Sequence, residues 1–405
     1  MNKNPFLVYK GLPKSLYFLF AARVIDNMGC FILPLITLIL TEKIGLSKSN
    51  AGIFATIFMC TQAPFLLLGG RLIDKIGSKK VIVIFNILGA LAYIPCAIIK
   101  PSIYMAWLIA LAANLFSVSS PAFSSIVAEI VPKEKLRSAY SFVYLGFNLG
   151  LAVGPVLGGL FFNDYLHALF ILDAISALIS SLLIMIFVKD SKSKKEDSLH
   201  SNLHFKIHSD TSVRKFLLDN PLLIIFSLVI LLYNFSYSQW SFMLPIQISE
   251  LFVKSGARYY SFLVGINALV VIILTPVITY FTHKFSTITI IAAGGIFYIS
   301  ASILFSINKF YAIFIIAVIT LTIGQILINL NTNIFVAHRT PPKYLGRANS
   351  MLSLINGAGI AAGPIIMGNV VSILTFWQAW MIISGLMLIA TLAMFKLRKY
   401  DKLSS

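Results

Sequence analysis

Arg23 and Asp26 stand three residues apart in an otherwise apolar stretch that runs from residue 15 to 41. On a helix this spacing puts both on one face, and Asn27, four residues from Arg23, extends the same patch. Ionisable groups in an apolar helix are costly to bury and are kept for work or in pairs. Three chemistries are open to this patch. Asp26 can take up a proton from one side and release it to the other, with Arg23 beside it changing how firmly the proton is held. The two can instead form a static ion pair that orients the helix, or Arg23 can hold an anionic substrate. Asp173, in the outer part of a later apolar stretch, is a structural cap or a transport residue. Glu129 ends another stretch as an interface or latch residue.

Uncharged polar groups are spread through the other stretches. No Lys or Arg lies between Lys100 and Lys133, where Asn114, Ser117, Ser119 and Ser120 are the polar groups. Tyr144 and Asn148 are four apart, and Tyr233, Tyr237 and Trp240 make an aromatic face beside Asn234, Ser238 and Ser241. Asn267 and Asn356 stand in two further stretches, and Gln325, Asn329 and Asn333 recur every four residues. Amides in lipid need partners, so these faces are expected to meet water, substrate or another helix. As a set they are candidates to line a wet central cavity for amphipathic or cationic organic substrates, held by stacking and cation–π contact. Taken singly, each can equally be glue between helices.

The elements that carry these residues are apolar stretches, most of them bounded by charges: 15–41, 49–70, 81–99, 101–128, 138–163, 165–188, 220–249, 259–282, 285–308, 310–337 and 348–395. The last has room for two spans, with a break near Thr375 to Gln378, which makes twelve in all. A bilayer-crossing helix takes roughly 20 mostly apolar residues. Lipid offers the backbone no hydrogen-bond partner, which leaves helices or a closed barrel, and barrel strands are far shorter. With 11% charged residues against the roughly one quarter of a soluble chain, the sequence leaves no room for a soluble domain. The expected fold is all-α, a membrane protein of 12 transmembrane helices.

The net charge of +18 could point to nucleic acid, but its placement argues otherwise. If the N-terminus is inside, 25 Lys and Arg fall in inside segments and 6 in outside segments, with Arg23 left within a span. That is the positive-inside bias, and it puts both termini in the cytoplasm of a multi-pass plasma-membrane protein. Nucleic-acid binding is therefore not expected. Cys30, Cys60 and Cys96 lie in apolar spans without metal or disulfide spacing. His200, His204 and His208, four apart in the central linker, fit a surface helix better than a metal site. The first stretch is too long for a signal-peptide core and is expected to remain as a helix. No nucleotide-binding loop and no zinc-protease motif is present, so neither direct ATP drive, nor a cofactor, nor an enzyme activity is expected.

Residues 189–219 divide the chain into an N-terminal bundle, 1–188, and a C-terminal bundle, 220–405, of six spans each. An internal repeat supports the division. Pro132, Lys133 and Arg137 recur as Pro342, Lys343 and Arg347, and each copy opens a helix with a Gly-Pro step, GLAVGPVLGG at 150–159 and GIAAGPIIMG at 359–368. Two facing six-helix repeats are the plan of many secondary transporters, with the substrate site near mid-membrane.

Two motifs give the chain a family resemblance. The segment GRLIDKIGSKK carries Gly70, Leu72, Asp74, Lys75, Gly77, Lys79 and Lys80 in the pattern of the loop between spans two and three of the major facilitator superfamily, with Ser78 departing from it. The fifth-span pattern of that family is met by Gly150, Gly154, Pro155, Gly158 and Gly159. The chain thus resembles this superfamily over nearly its whole length, and its drug:proton antiporter branch in the fifth span. The resemblance implies two pseudo-symmetric bundles that rock by alternating access. It implies Asp74 and the adjoining loop as a latch, and a fifth-span glycine face that meets the other half and seals one side. In the second half the loop keeps only His283-Lys284 in place of Asp74-Lys75, which makes the latch one-sided. The family's antiporters carry an Arg in the fourth span that is absent here, so proton coupling would rest on Asp26 and Arg23. The expected function is proton-gradient-driven export of small amphipathic organic molecules by a monomer in the lipid bilayer, with no obligate protein partner. Uptake of a nutrient as a uniporter or symporter is the alternative, and lipid flipping a further one.

Overall fold

The computed structural model describes residues 11–132, 135–188, 221–282, 285–307, 310–339 and 342–403. These residues hold 12 helices long and apolar enough to cross a membrane and no strand. In chain order they are α1 (Lys14–Lys43), α2 (Lys48–Ile76), α3 (Ser78–Ala97), α4 (Ile103–Ile130), α5 (Ser138–Phe161) and α6 (Leu166–Phe187). There follow α7 (Pro221–Leu251), α8 (Gly256–Thr282), α9 (Thr287–Ser306), α10 (Tyr311–Val336), α11 (Ile355–Ile373) and α12 (Phe376–Arg398). The break expected near Thr375 is a capping box. The Gln378 side chain accepts the Thr375 N–H at 3.0 Å, and the Thr375 hydroxyl accepts the Gln378 N–H at 3.4 Å, which starts α12 afresh.

The described residues fall into two compact units. One is drawn from Met1–Gly45, Ile57–Asp197 and Phe252–Leu269, the other from Leu46–Thr56, Ser198–Leu251 and Val270–Ser405. The opening stretch of α2 thus belongs with the second unit and that of α8 with the first. Within the first unit α1 packs on α5 and α6, and α3 on α4 and α6. Within the second, α7 packs on α11 and α12, and α9 on α10 and α12. Each pairing recurs six helices later, so the repeat read in the loops is a repeat of packing.

The repeat extends to a defect. α1 is helical from Lys14 to Met28, stops at Gly29, and resumes with a tight turn at Leu33–Leu35 that contains Pro34. α7 is helical from Pro221 to Ser238 and again from Met243 to Leu251, with Pro245 in the second piece. Gln239 opens that gap 210 residues after Gly29, the same displacement as the loop copies. Proline explains both gaps, because it donates no hydrogen bond and crowds the carbonyl four residues back. The prolines inside α5 and α11 leave those helices continuous. At Pro364 a neighbour supplies the repair: the Thr56 hydroxyl donates to Ala361 O at 2.8 Å and accepts the Ile365 N–H at 3.1 Å.

The glycine face of α5 lies against these breaks. A methyl group at Gly154 would sit 2.6 Å from the carbonyl oxygen of Asn27 and 2.8 Å from that of Met28. Gly150 faces Val24 and Asn27, and Gly158 faces Phe31. In the second unit Gly363 of α11 faces Ser238 and Gln239 in the same way. The expected contact with the C-terminal half is made by the α8 side of α5, where Gly159 meets Ala257 and Ser261 and Gly265 meets Ala152 and Val156. Gly150, Gly154 and Gly158 serve the close approach of α5 to α1 within one unit. Gly154→Ala should therefore destabilise the protein by about 1–3 kcal/mol through overpacking, since the groups in its way are backbone. Thermal unfolding in detergent reads this, and an unchanged midpoint would show that the contact is looser than described.

Candidate functional site

Four helices of the first unit, α1, α3, α4 and α6, build both a dry core and a polar cavity. At one end Leu16, Leu19, Val81, Ile82, Phe123, Ile126 and Ile184 pack into a cluster with little or no exposure. Further along the same helices the space opens into a cavity of about 140 Å³ that is continuous with the outside. Arg23, Asp26, Asn27, Cys30 and Leu33 line it from α1, Asn86 and Tyr93 from α3, Phe116, Ser119 and Ser120 from α4, and Asp173 and Ala177 from α6. The cavity spans the last turns of the regular part of α1, at Arg23, Asp26 and Asn27, and the break after it, at Cys30 and Leu33.

The pair read from the sequence is present. Arg23 Nη1 lies 3.5 Å from Asp26 Oδ2, with one fifth of each side chain exposed. That separation is too long for a strong charge-assisted hydrogen bond. The guanidinium sits instead over Phe123, 4.2 Å from the ring centre, and near Phe147 at 5.0 Å, so aromatic faces hold its apolar side. Asn27 lines the cavity, but its amide donates to Arg23 O at 2.8 Å.

Asp173 closes the structural problem that the break in α1 creates. Its carboxyl group takes the backbone N–H of Ile32, which the break leaves without a helical partner, and reaches that of Phe31, which also donates to Gly29 O at 2.8 Å. Gly29 permits this approach, because a side chain there would run into Ser176, one turn from Asp173. The other carboxyl oxygen, Oδ2, has no partner among the described residues, although Asp173 is 94% buried. Asn86 is in the same position. Its Oδ1 takes the Ser119 hydroxyl at 2.8 Å, and its buried Nδ2 has no partner. Sequence reasoning did not place Asn86 or Tyr93 in the site, and left Asp173 between cap and function. The available signals were a lone amide in the run VIVIFNILG and a helix-stopping Gly29 followed five residues later by Pro34.

The remaining candidates do not line this cavity. Asn114 donates to the Thr61 hydroxyl at 3.1 Å, and Asn148 donates to Tyr144 O at 2.8 Å while the Tyr144 ring is exposed. Asn267 is half-buried on α8. In the second unit Tyr233 is fully buried with its hydroxyl 3.2 Å from that of Thr391, and Tyr233 and Tyr237 both pack on Tyr298. Asn234 donates to Asn356 O at 3.3 Å, Trp240 is buried, Gln325 is half-buried and Asn329 exposed. Of the loop motif, Asp74 and Lys75 are exposed, Lys79 is half-buried, Gly70 borders open space, and Gly77 takes φ +86°, a conformation that favours glycine. Ser78, the departing residue, donates to Glu129 at 2.5 Å and joins α3 to α4. The side chains of Arg137 and Asn333, and the linker with His200, His204 and His208, lie outside the described residues.

A family model described as the Major Facilitator Superfamily matches residues 17–338 and, in a second alignment, 253–404. The chain belongs to the major facilitator superfamily. It is a multi-pass membrane transporter of that family, whose members carry small-molecule substrates. Among relatives, it is 27% identical over 193 residues to a class H tetracycline resistance protein of Pasteurella multocida, a match that spans 47% of each chain. It is 19% identical over 361 residues to a Na(+), Li(+), K(+)/H(+) antiporter of Planococcus maritimus, covering 82% of this chain and 84% of that one. The nucleoside transporter NupG shares the fold, with a TM-score of 0.78 at 16% identity over 96% of this chain and all of that structure. In this member of the superfamily, Asp173→Ala should lower stability by roughly 1–3 kcal/mol by stranding the N–H group of Ile32. Asp173→Asn keeps an acceptor and should lose less. Equal losses for the two variants, read as thermal midpoints, would remove the capping role.

Proposed function

We propose that this transporter exports small amphipathic organic molecules from the cell in exchange for protons, by alternating access. The observation that carries the reading is the Arg23–Asp26 pair, half-way along α1, on the wall of a polar cavity. A carboxylate there can be reached by solvent, and its weak pairing with Arg23 leaves it free to gain and lose a proton. Arg23, held by Phe123 and Phe147, stays in place through both states. The similarity to a tetracycline resistance protein and to a cation/proton antiporter supports exchange over simple diffusion. The positive-inside bias supports a plasma-membrane location with both termini in the cytoplasm. Asp74, Lys75 and the α5 Gly-Pro face serve the conformational switch in this reading, and the six-plus-six division about residues 189–219 supplies its two moving halves.

The test is transport by purified protein in proteoliposomes under an imposed proton gradient. The unmodified chain should accumulate substrate against its concentration in exchange for protons. Asp26→Asn should abolish uphill movement while leaving downhill exchange and the thermal midpoint near normal. Uphill export that survives the substitution would refute Asp26 as the carrier. Flux with the gradient in the uptake direction, measured in right-side-out against inverted vesicles, would replace export with symport.

A further inference from the structure

Three formal charges line the cavity of the first unit: Arg23 positive, Asp26 and Asp173 negative. With all three ionised, the site holds one negative charge without a counterpart. An unbalanced charge in a low-dielectric setting is strongly disfavoured, so either a proton or one bound cation balances it. Two buried groups show where. Asp173 Oδ2 is an acceptor and Asn86 Nδ2 a donor, both without partners among the described residues, on walls of the same cavity. Tyr93 and Phe116 add aromatic surface, their rings 5.7 Å apart.

We propose that Asp173 and Asn86 form a subsite for one singly charged cation, best a protonated amine that also carries a hydrogen-bond acceptor. The ammonium donates to Asp173 Oδ2, the acceptor takes the Asn86 N–H, and the aromatic rings bound the organic part. The proposal rests on the exchange reading above and gives it a stoichiometry. When a proton binds Asp26, Arg23 and Asp173 balance one another and the cation is no longer needed. When Asp26 loses that proton to water, one cation restores neutrality. Proton and substrate therefore exclude each other at one proton per single charge. The titratable and charged groups that face Asp173 are Asp26, Arg23 and Cys30 on α1 and Tyr93 on α3. Of these, Asp26 is the acid that takes up and releases the proton in this scheme.

The experiment is equilibrium binding to the full chain in lipid nanodiscs, with no gradient. The probes are 5-methoxytryptamine and its neutral alcohol counterpart, 5-methoxytryptophol. The amine should bind at least about tenfold more tightly than the alcohol, and its affinity should fall as pH is lowered while that of the alcohol does not. Asp173→Asn should erase this preference, and Asn86→Ala should weaken the amine several-fold. Asp26→Asn, which removes no capping contact, should weaken the amine about tenfold and flatten its pH dependence. Displacement of the amine by sodium chloride, but not by choline chloride of equal ionic strength, would mark an alkali cation as the better occupant of the same subsite. Parallel loss of both probes in Asp173→Asn, as a structural cap alone would give, or an amine preference that survives in both Asp variants, would overturn the proposal. Because binding is read without transport, the subsite can stand if coupled export fails, and fall if coupled export holds.

Discussion

Lipid offers a backbone no hydrogen-bond partner, and the first unit is organised around one place where that constraint is locally broken. The interruption of α1 from Gly29 to Ile32 leaves the Ile32 N–H without a helical partner. It is answered by the Asp173 carboxyl group from α6. That carboxyl group has two oxygens, and the backbone occupies one side of it. The cap thus leaves one buried carboxylate oxygen without a partner among the described residues, on a side chain that lines the cavity. The Arg23–Asp26 pair lies on the regular part of α1 that precedes the break.

The repeat provides an internal control. α7 breaks 210 residues later, beside a glycine of α11 placed like those of α5. Here the solution is local. The Gln239 amide donates to Phe235 O at 3.0 Å and to the Ser238 hydroxyl at 2.9 Å. Tyr233, Tyr298 and Thr391, from the helices that correspond to α1, α3 and α6, fill the adjacent space. Gly295 gives the Tyr233 hydroxyl its room. One architecture therefore carries charge and a cavity beside the break in one unit, and an aromatic plug with neutral hydrogen bonds beside the break in the other. The backbone past the break differs too, irregular from Leu33 to Lys43 and regular α-helix from Met243 to Leu251.

This explains what could be read in advance. Span number, the Thr375 break and the repeat are set by the length of apolar runs and by a few helix-stopping residues, all local in sequence. Arg23 and Asp26 were legible because a charge in an apolar run has few meanings. Asn86 and Asp173 were not assigned, because which lone polar residues converge depends on which helices touch. The amides are ambiguous for a further reason. Asn148 turns back to the carbonyl four residues earlier, so a helical amide in lipid can satisfy itself without facing a cavity. The glycine face was found from its spacing, but spacing names the property of close approach and not the neighbour approached.

The dry cluster on the same four helices adds direction to the site. Leu16, Leu19, Val81, Ile82 and Ile126 close the cavity toward the start of α1, and Phe123 stands between that cluster and Arg23. An ion reaching Asp26 from that end would have to cross several buried apolar layers, where hydration is lost and nothing replaces it. The cavity is therefore closed toward that end in this structure. α1 is also held closely by the α5 glycines at Val24, Asn27, Met28 and Phe31, where most contacts are with backbone and tolerate little adjustment.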